Sequence, residues 1–337
     1  MRRRQGIETL VTVGALGALW ILTATLGNRF GMSIAILIVL YYLLATSLNV
    51  IMGFTDLISF GQSAFFGLGA YAAALTATHL GAGLLGGMAV GILLSAVLAL
   101  IISSVSRALS GVYFALATMA AAEIVHIVLL NWVDFTRGPL GFSLKAADRV
   151  LVPGVLLTPQ LMFHLVLGAG VLVTIAIGLF VRSDRGVRSI GVRENADLSA
   201  SVGIVPARQR ALAFLISGSI ASVAGALYAF NYGILTPELS SLWYSALALL
   251  MVTFGGKGTI LGPLVGAAVF VALPELIGLQ GTLGQVIFAL VLLLVVLLLP
   301  RGIVGSIGAR GSSVGGIIGW VQRRRRHAGD AADRRSA

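Results

Sequence analysis

Glu123 and His126 stand three residues apart in GVYFALATMAAAEIVHIVLLN, a spacing that puts a carboxyl and an imidazole one helical turn apart on one face. Such a pair could share a proton or form an ion pair. Inside a membrane an ionisable group is costly and usually faces a bundle interior. Two roles for Glu123 stay open: a place on a solute path or proton relay, or a buried structural hydrogen-bonder near the outer boundary. A second candidate is SFGQSAFFGLGAY, from Ser59 to Tyr71, where three glycines, two serines and a glutamine replace the leucines of a lipid-facing helix. A broken helix leaves free backbone ends that are tolerated only where they face protein or water. If the chain between Gly53 and Gly61 dips into the membrane and restarts a helix near Gln62, the N-terminal dipole would face a path. Ser59, Gln62 and Ser63 would then supply hydrogen bonds, with Phe60, Phe65 and Phe66 beside them suited to an aliphatic solute. The alternative is a packing seam in which Gly61, Gly67 and Gly69 only permit close helix approach. Asn49, Tyr71, Thr118 and Thr253 could line a polar path or act as interhelical glue.

Catalytic patterns are missing. The chain has no HExxH or GxSxG, and its four histidines are scattered. It has no cysteine, which excludes thiolate catalysis, disulfides and iron–sulfur ligation. GGKGT at 255–259 is not a phosphate-binding loop: Met251 stands where the first glycine of GxxxxGK[ST] belongs, and Gly258 follows Lys257. The chain is therefore expected to be no enzyme and to carry no cofactor or metal, so any nucleotide energy must come from another subunit.

The elements that would hold these residues are membrane helices. Hydrophobic residues make up 58% of the 337 and charged residues 10%, with mean hydropathy +1.01; soluble domains carry roughly 25% charged residues. Apolar runs predict ten spanning helices, at about 7–27, 32–52, 62–80, 84–105, 112–132, 159–181, 209–231, 241–255, 258–278 and 283–300. The run after MRRR is long and lacks a small-residue cleavage site, so it is expected to be the first of these helices.

Of the 23 basic residues, nineteen fall on one side: Arg2 to Arg4, Arg107, six arginines from Arg182 to Arg210, Lys257, Arg301, Arg310 and six in the tail. Arg29, Arg137, Lys145 and Arg149 fall on the other. The positive-inside rule then places both termini in the cytoplasm. The expected domains are a permease unit over 1–310, with a cytoplasmic loop at 182–210 and an outer loop at 132–158, and a basic tail over 311–337. The tail's RRRR at 323–326 suits anionic lipid, and nucleic-acid binding is not expected. The inner loop holds a short helical candidate from Val192 to Val202, with Gly203 as its stop. MGFTDLISFGQSAFFGLGAYAAAL and FGGKGTILGPLVGAAVFVALPEL loosely match, a hint of internal duplication.

Taken together, SLNVIMGFTDLISFGQSAFFGLGAYAAAL (47–75), GVYFALATMAAAEIVHIVLLNWVDFTRGPLGF (111–142), RSIGVRENADLSASVGI (188–204), ALAFLISGSIASVAGALYAF (211–230), and MVTFGGKGTILGPLVGAAV with LLLPRG resemble LivM-type permeases of bacterial branched-chain amino acid ABC importers. The resemblance implies an all-α inner-membrane permease and several partners: a second, LivH-type permease, two cytoplasmic ATPases and a periplasmic or lipid-anchored binding protein. It also implies an ATPase-coupling role for 191–204, with Arg193, Glu194, Asp197, Ser199 and Gly203 as its residues. Leu198 departs from the usual small residue there; Arg137 stands where glycine is usual, and His126 where an arginine or an apolar residue is usual. The implied cargo is a branched-chain amino acid; urea or a short amide, or proton-coupled secondary transport, are the alternatives.

Overall fold

In a computed structural model, residues 2–26, 29–106, 109, 111–277 and 302–306 are described. Among the described residues the main α-helices follow one another as α1 Arg2–Leu26, α2 Arg29–Thr55, α3 Gln62–Leu80, α4 Gly83–Val105, α5 Gly111–Asn131, α6 Val133–Thr136, α7 Pro159–Arg182, α8 Asp184–Glu194, α9 Ala196–Ser201, α10 Pro206–Tyr232, α11 Leu242–Gly255 and α12 Gly262–Ile277. The expected helix at 283–300 and the tail at 311–337 lie outside the described residues.

Six of these helices are long and apolar enough to cross a membrane: α1, α2, α4, α5, α7 and α10. Such lengths need no tertiary help to satisfy their backbones, which is why apolar runs predict them well. α3 has spanning length, but its alanines, glycines and polar residues dilute its hydropathy. α11 and α12 are apolar and shorter. The chain is a multi-pass membrane protein.

α2 is the axis of the bundle. It is apolar all round, the pattern of a helix enclosed by protein, and 83% of its most apolar window is buried, against 28% for α4 and α5. α10, α12, α7 and α11 pack around it. α3, α4 and α10 form a second, tighter group because their glycines let backbones touch. A Cβ on Gly225 would strike the Phe66 carbonyl, one on Gly69 would strike Ser222, and one on Gly91 would lie 2.8 Å from the Ser222 hydroxyl.

The segment between α5 and α7 is built from turns, as its glycines and prolines predict. It includes α6, two 3₁₀ turns and a two-residue strand β1 (Phe142–Ser143), paired antiparallel with β2 (Ile234–Leu235) after α10. Carbonyls of Val150 and Leu151 accept from the amides of Leu84 (2.8 Å) and Leu85 (3.2 Å). This segment thus satisfies the first amides of α4, which have no partner within their own helix.

Two expected boundaries change. The helix expected from 258 starts at Gly262, because residues 256–261 form a turn in which Gly256 (φ 121°) and Gly258 (φ 75°) take positive φ, which favours glycine. The single helix expected from Val192 to Val202 is two, α8 and α9. Asn195 between them is extended (φ −160°, ψ 110°), and its side chain caps α9 by accepting from the Leu198 amide. Gly203 (φ 83°) ends the element as expected.

Candidate functional site

α2 stops at Thr55, and the next residue, Asp56, has φ 56°. Residues 56–61 are not helical, and α3 begins at Gln62. The depth of that restart follows from its hydrogen bonds. Gln62 Nε2 donates to Ser217 Oγ (2.8 Å), Ser47 Oγ donates to Gln62 Oε1 (3.2 Å), and Ser217 Oγ donates to the Ser47 carbonyl (2.6 Å). Ser47 lies eight residues before the end of α2, about 12 Å back along the axis at 1.5 Å per residue. The segment therefore re-enters the bundle. Asp56, at its start, is exposed beside Lys257, with 3.4 Å between Oδ1 and Nζ.

Every helix around this segment contributes to holding it. The Phe60 amide donates to Thr118 Oγ1 of α5 (3.0 Å), and the Ser63 amide donates to Ser245 Oγ of α11 (2.8 Å), whose hydroxyl turns to Ser63 Oγ (2.9 Å). Ser59 Oγ accepts from the Gly61 amide (3.2 Å). Free amides at and just before the start of α3 are thus met by side chains from two other helices and by Ser59 of the segment itself, the accounting that a helix end inside a membrane requires.

The predicted path residues divide into two groups. Ser59, Gly61, Gln62, Ser63 and Thr118 come together here, all buried. Phe66 is also buried, stacked on Tyr244 (5.4 Å between centroids) and edge-on to Tyr228 (5.5 Å). Tyr71 is enclosed in α3, and its hydroxyl has no hydrogen-bond partner among the described residues. Asn49 sits nearly two turns from the end of α2 and serves the turn at 256–261: its Nδ2 donates to the Thr259 carbonyl and its Oδ1 accepts from the Gly258 amide, both at 2.8 Å. Glu123 stands apart. It is exposed, on the same open side of α5 as Val112, Tyr113, Leu116 and Ile124, so it is not the buried hydrogen-bonder considered from the sequence. His126 does not pair with it; its Nδ1 lies 3.0 Å from the Pro237 carbonyl, which can only accept, so Nδ1 carries the proton, and 3.1 Å from Ser240 Oγ. The surface of the re-entrant segment is Asp56, Ile58 (41% exposed) and, in part, Phe60.

The second cluster is the α8–α9 element. Arg193 Nη2 and Nε donate to Glu194 Oε1 (2.8 and 3.2 Å), and Arg193 Nη1 donates to the Gly53 carbonyl of α2 (2.7 Å). A cation at a helix C-terminus also meets the negative end of the helix dipole. Ser199 is buried and its carbonyl accepts from the Ile204 amide (3.0 Å), which folds the chain back after α9. Glu194, Asp197, Leu198 and Val202 point outward.

Several residues here escaped the sequence reading. Ser47, Ser217 and Ser245 are ordinary small residues in apolar helices, and nothing in their spacing marks them. Glu8 left a signal: it is an acidic residue in the otherwise apolar first helix, and its Oε2 accepts from the Ile260 amide at 3.1 Å. Among the described residues no cluster of His, Asp and Glu could hold a metal.

The family model described as the branched-chain amino acid transport system permease component matches residues 31–299. The chain belongs to this permease family. It is a family of transport subunits, not of enzymes. The chain is 28% identical over 271 residues to the high-affinity branched-chain amino acid transport system permease protein LivM of Salmonella typhimurium, covering 74% of this chain and 64% of that protein. Identity to LivM of Escherichia coli is also 28%, over 298 residues, or 79% of this chain and 67% of that protein. The permease protein LivH of Salmonella typhimurium matches at 29% over 137 residues, 40% of this chain and 44% of LivH. The chain thus spans about two thirds of the length of the LivM proteins it matches. No solved structure matches it.

Proposed function

We propose that this chain is one permease subunit of an ATP-driven importer that carries branched-chain amino acids across a bacterial inner membrane. The observation that supports this most is the re-entrant break at 56–61, reaching the depth of Ser47, with the exposed α8–α9 element tied to the same helix end through Arg193. In this proposal α3, α11, α12 and the run at 283–300 join the six long helices to make ten crossings, with both termini cytoplasmic and the tail at 311–337 against anionic lipid. Glu194, Asp197 and the exposed Leu198 and Val202 meet one of two ATPases, with Arg193, Ser199 and Gly203 shaping that element. A LivH-type permease covers the open side of α5. A binding protein delivers cargo at the outer face.

The solute passes along Ile58, Phe60, Thr118 and Glu123, with Asn49, Ser59, Gly61, Gln62, Ser63, Phe66 and Tyr71 as the wall that shapes the path. Movement between outward- and inward-facing states is a rigid-body rocking of helix groups. Ile58, Phe60 and Phe66 along it suit an aliphatic side chain better than urea. Proton coupling gains no support, since His126 is committed to Pro237 and Ser240 and not to Glu123.

The test is reconstitution in vesicles with a second permease, ATPases and a binding protein. ATP-dependent uptake of leucine, competed by isoleucine and valine and not by urea or ribose, is expected. Uptake driven by a pH gradient with no ATPase present would overturn the importer assignment. Unchanged leucine uptake after Gln62→Arg or Phe66→Trp would remove those residues from the path.

A further inference from the structure

We infer that Arg193 is a positioning residue that transmits movement of α8–α9 to the break after α2, and not a docking contact for another subunit. This deepens the importer proposal and rests on it. The guanidinium of Arg193 faces two ways. One edge, Nε and Nη2, grips Glu194 of its own element, and the remaining nitrogen, Nη1, reaches Gly53 O at 2.7 Å on α2. In a continuing helix that carbonyl would accept from the amide of residue 57. Because α2 ends at Thr55, Arg193 takes the place of the bond that would have carried the helix onward. The arginine therefore sits on the last ordered turn before the chain re-enters the bundle.

The junction leaves no slack. A Cβ on Gly53 would lie 2.7 Å from the Gly258 amide nitrogen, and a Cβ on Gly258 would lie 2.8 Å from Arg193 Nη1 and 3.1 Å from the Gly53 carbonyl oxygen. Asn49, one turn back on α2, holds the Gly258 amide and the Thr259 carbonyl. The end of α2, the turn after α11 and the end of α8 thus meet at one packed point, with the guanidinium between them. A charge-assisted hydrogen bond is short and directional, so a shift of the last turn of α8 either carries the end of α2 with it or breaks the bond. Arg193 is also the less exposed partner of its pair, 31% against 65% for Glu194, as fits an inward link with the acid outside.

Two variants test the link from opposite sides. Arg193→Ala removes the guanidinium; Gly258→Ala displaces it from the side of the turn after α11 and leaves the outer surface of α8–α9 untouched. In the reconstituted transporter both are expected to retain the ATPases on co-purification while the solute moved per ATP hydrolysed falls about tenfold, the scale of one hydrogen bond to a charged group. Arg193→Lys, which keeps the charge, is expected to recover part of the loss. In the isolated subunit, amide exchange at residues 57–61 is expected to rise about tenfold in Arg193→Ala, with α8 amides unchanged. An unchanged transport-to-ATP ratio in Gly258→Ala overturns the inference, as does loss of the ATPases from Arg193→Ala or unaltered exchange at 57–61. Wild-type ATP-driven uptake, measured in the same vesicles, separately checks the importer assignment, and the exchange experiment needs no transport.

Discussion

Two glycine-bearing breaks of equal length sit beside each other at one end of the bundle, and they do different things. Residues 56–61 carry the chain from the surface back to the depth of Ser47, whereas residues 256–261 bring Gly262 straight back against Gly255. The second turn satisfies part of its own backbone, since Thr259 Oγ1 donates to the Gly256 carbonyl (2.8 Å) and accepts from the Gly262 amide (3.0 Å), and takes the rest from Asn49 of α2 and Glu8 of α1. The first relies on Ser217, Ser245 and Thr118 from three different helices. Both breaks are met by other helices, and the deep one the more so, because no water is there to meet it. The loose repeat between the two stretches therefore describes composition and not depth.

The comparison breaks most sharply at one methyl group. A Cβ on Gly255 would strike the Gly262 backbone, while one on Gly61 would have Ser59 Oγ at 3.4 Å as its nearest neighbour. Gly255→Ala is thus expected to cost about 1–3 kcal/mol by overpacking, and Gly61→Ala less than about 0.5 kcal/mol. Thermal unfolding of the purified subunit in detergent separates the two, and equal midpoints would erase the distinction between a tight hairpin and a roomier re-entrant turn.

Removing the anchors gives a smaller effect. Asn49→Leu strands a backbone amide and a backbone carbonyl at the second turn and should cost about 2 kcal/mol; Gln62→Leu leaves Ser47 and Ser217 with other partners and should cost about 1 kcal/mol. The same melting experiment orders them, and a greater loss for Gln62→Leu would mean that the deep restart depends on that side chain more than on its serine neighbours. The smallest change is Lys257→Ala. Its contact with Asp56 is 3.4 Å long and both side chains are 58% exposed, so less than about 1 kcal/mol is expected. That loss should vanish at high salt; a loss that persists would show that the ion pair does more than decorate the two turns.

The legible part of the site was its location. Gly61, Gln62 and Ser63 stood out because polar and small residues are anomalous in an apolar chain, and the break lies where that anomaly predicts it. The illegible part was orientation. Nothing local tells that Gln62 turns to Ser217 and Ser47, 155 and 15 residues away, or that Asn49 serves a turn 210 residues on. Glu123 and His126 share a helical face by spacing, yet His126 is claimed by Pro237 and Ser240, because a neighbouring segment offered a carbonyl and a hydroxyl at the right distance. The split between α8 and α9 at Asn195 was readable in principle, as Asn is a strong helix N-cap. The run of helix formers around it concealed the signal.

What this sequence settles alone is what the bilayer enforces: long apolar runs must be helices, since each satisfies its own backbone and lipid offers no other partner. The basic residues predict sidedness for the same reason, because moving them across a membrane is costly. Only the folded bundle decided how deep the chain returns after Thr55, which carbonyl Arg193 grips, and which glycines are indispensable. Most of those contacts join segments a hundred or more residues apart, set by how closely the backbones approach, and closeness of approach is a property of the packed helices that no single segment carries.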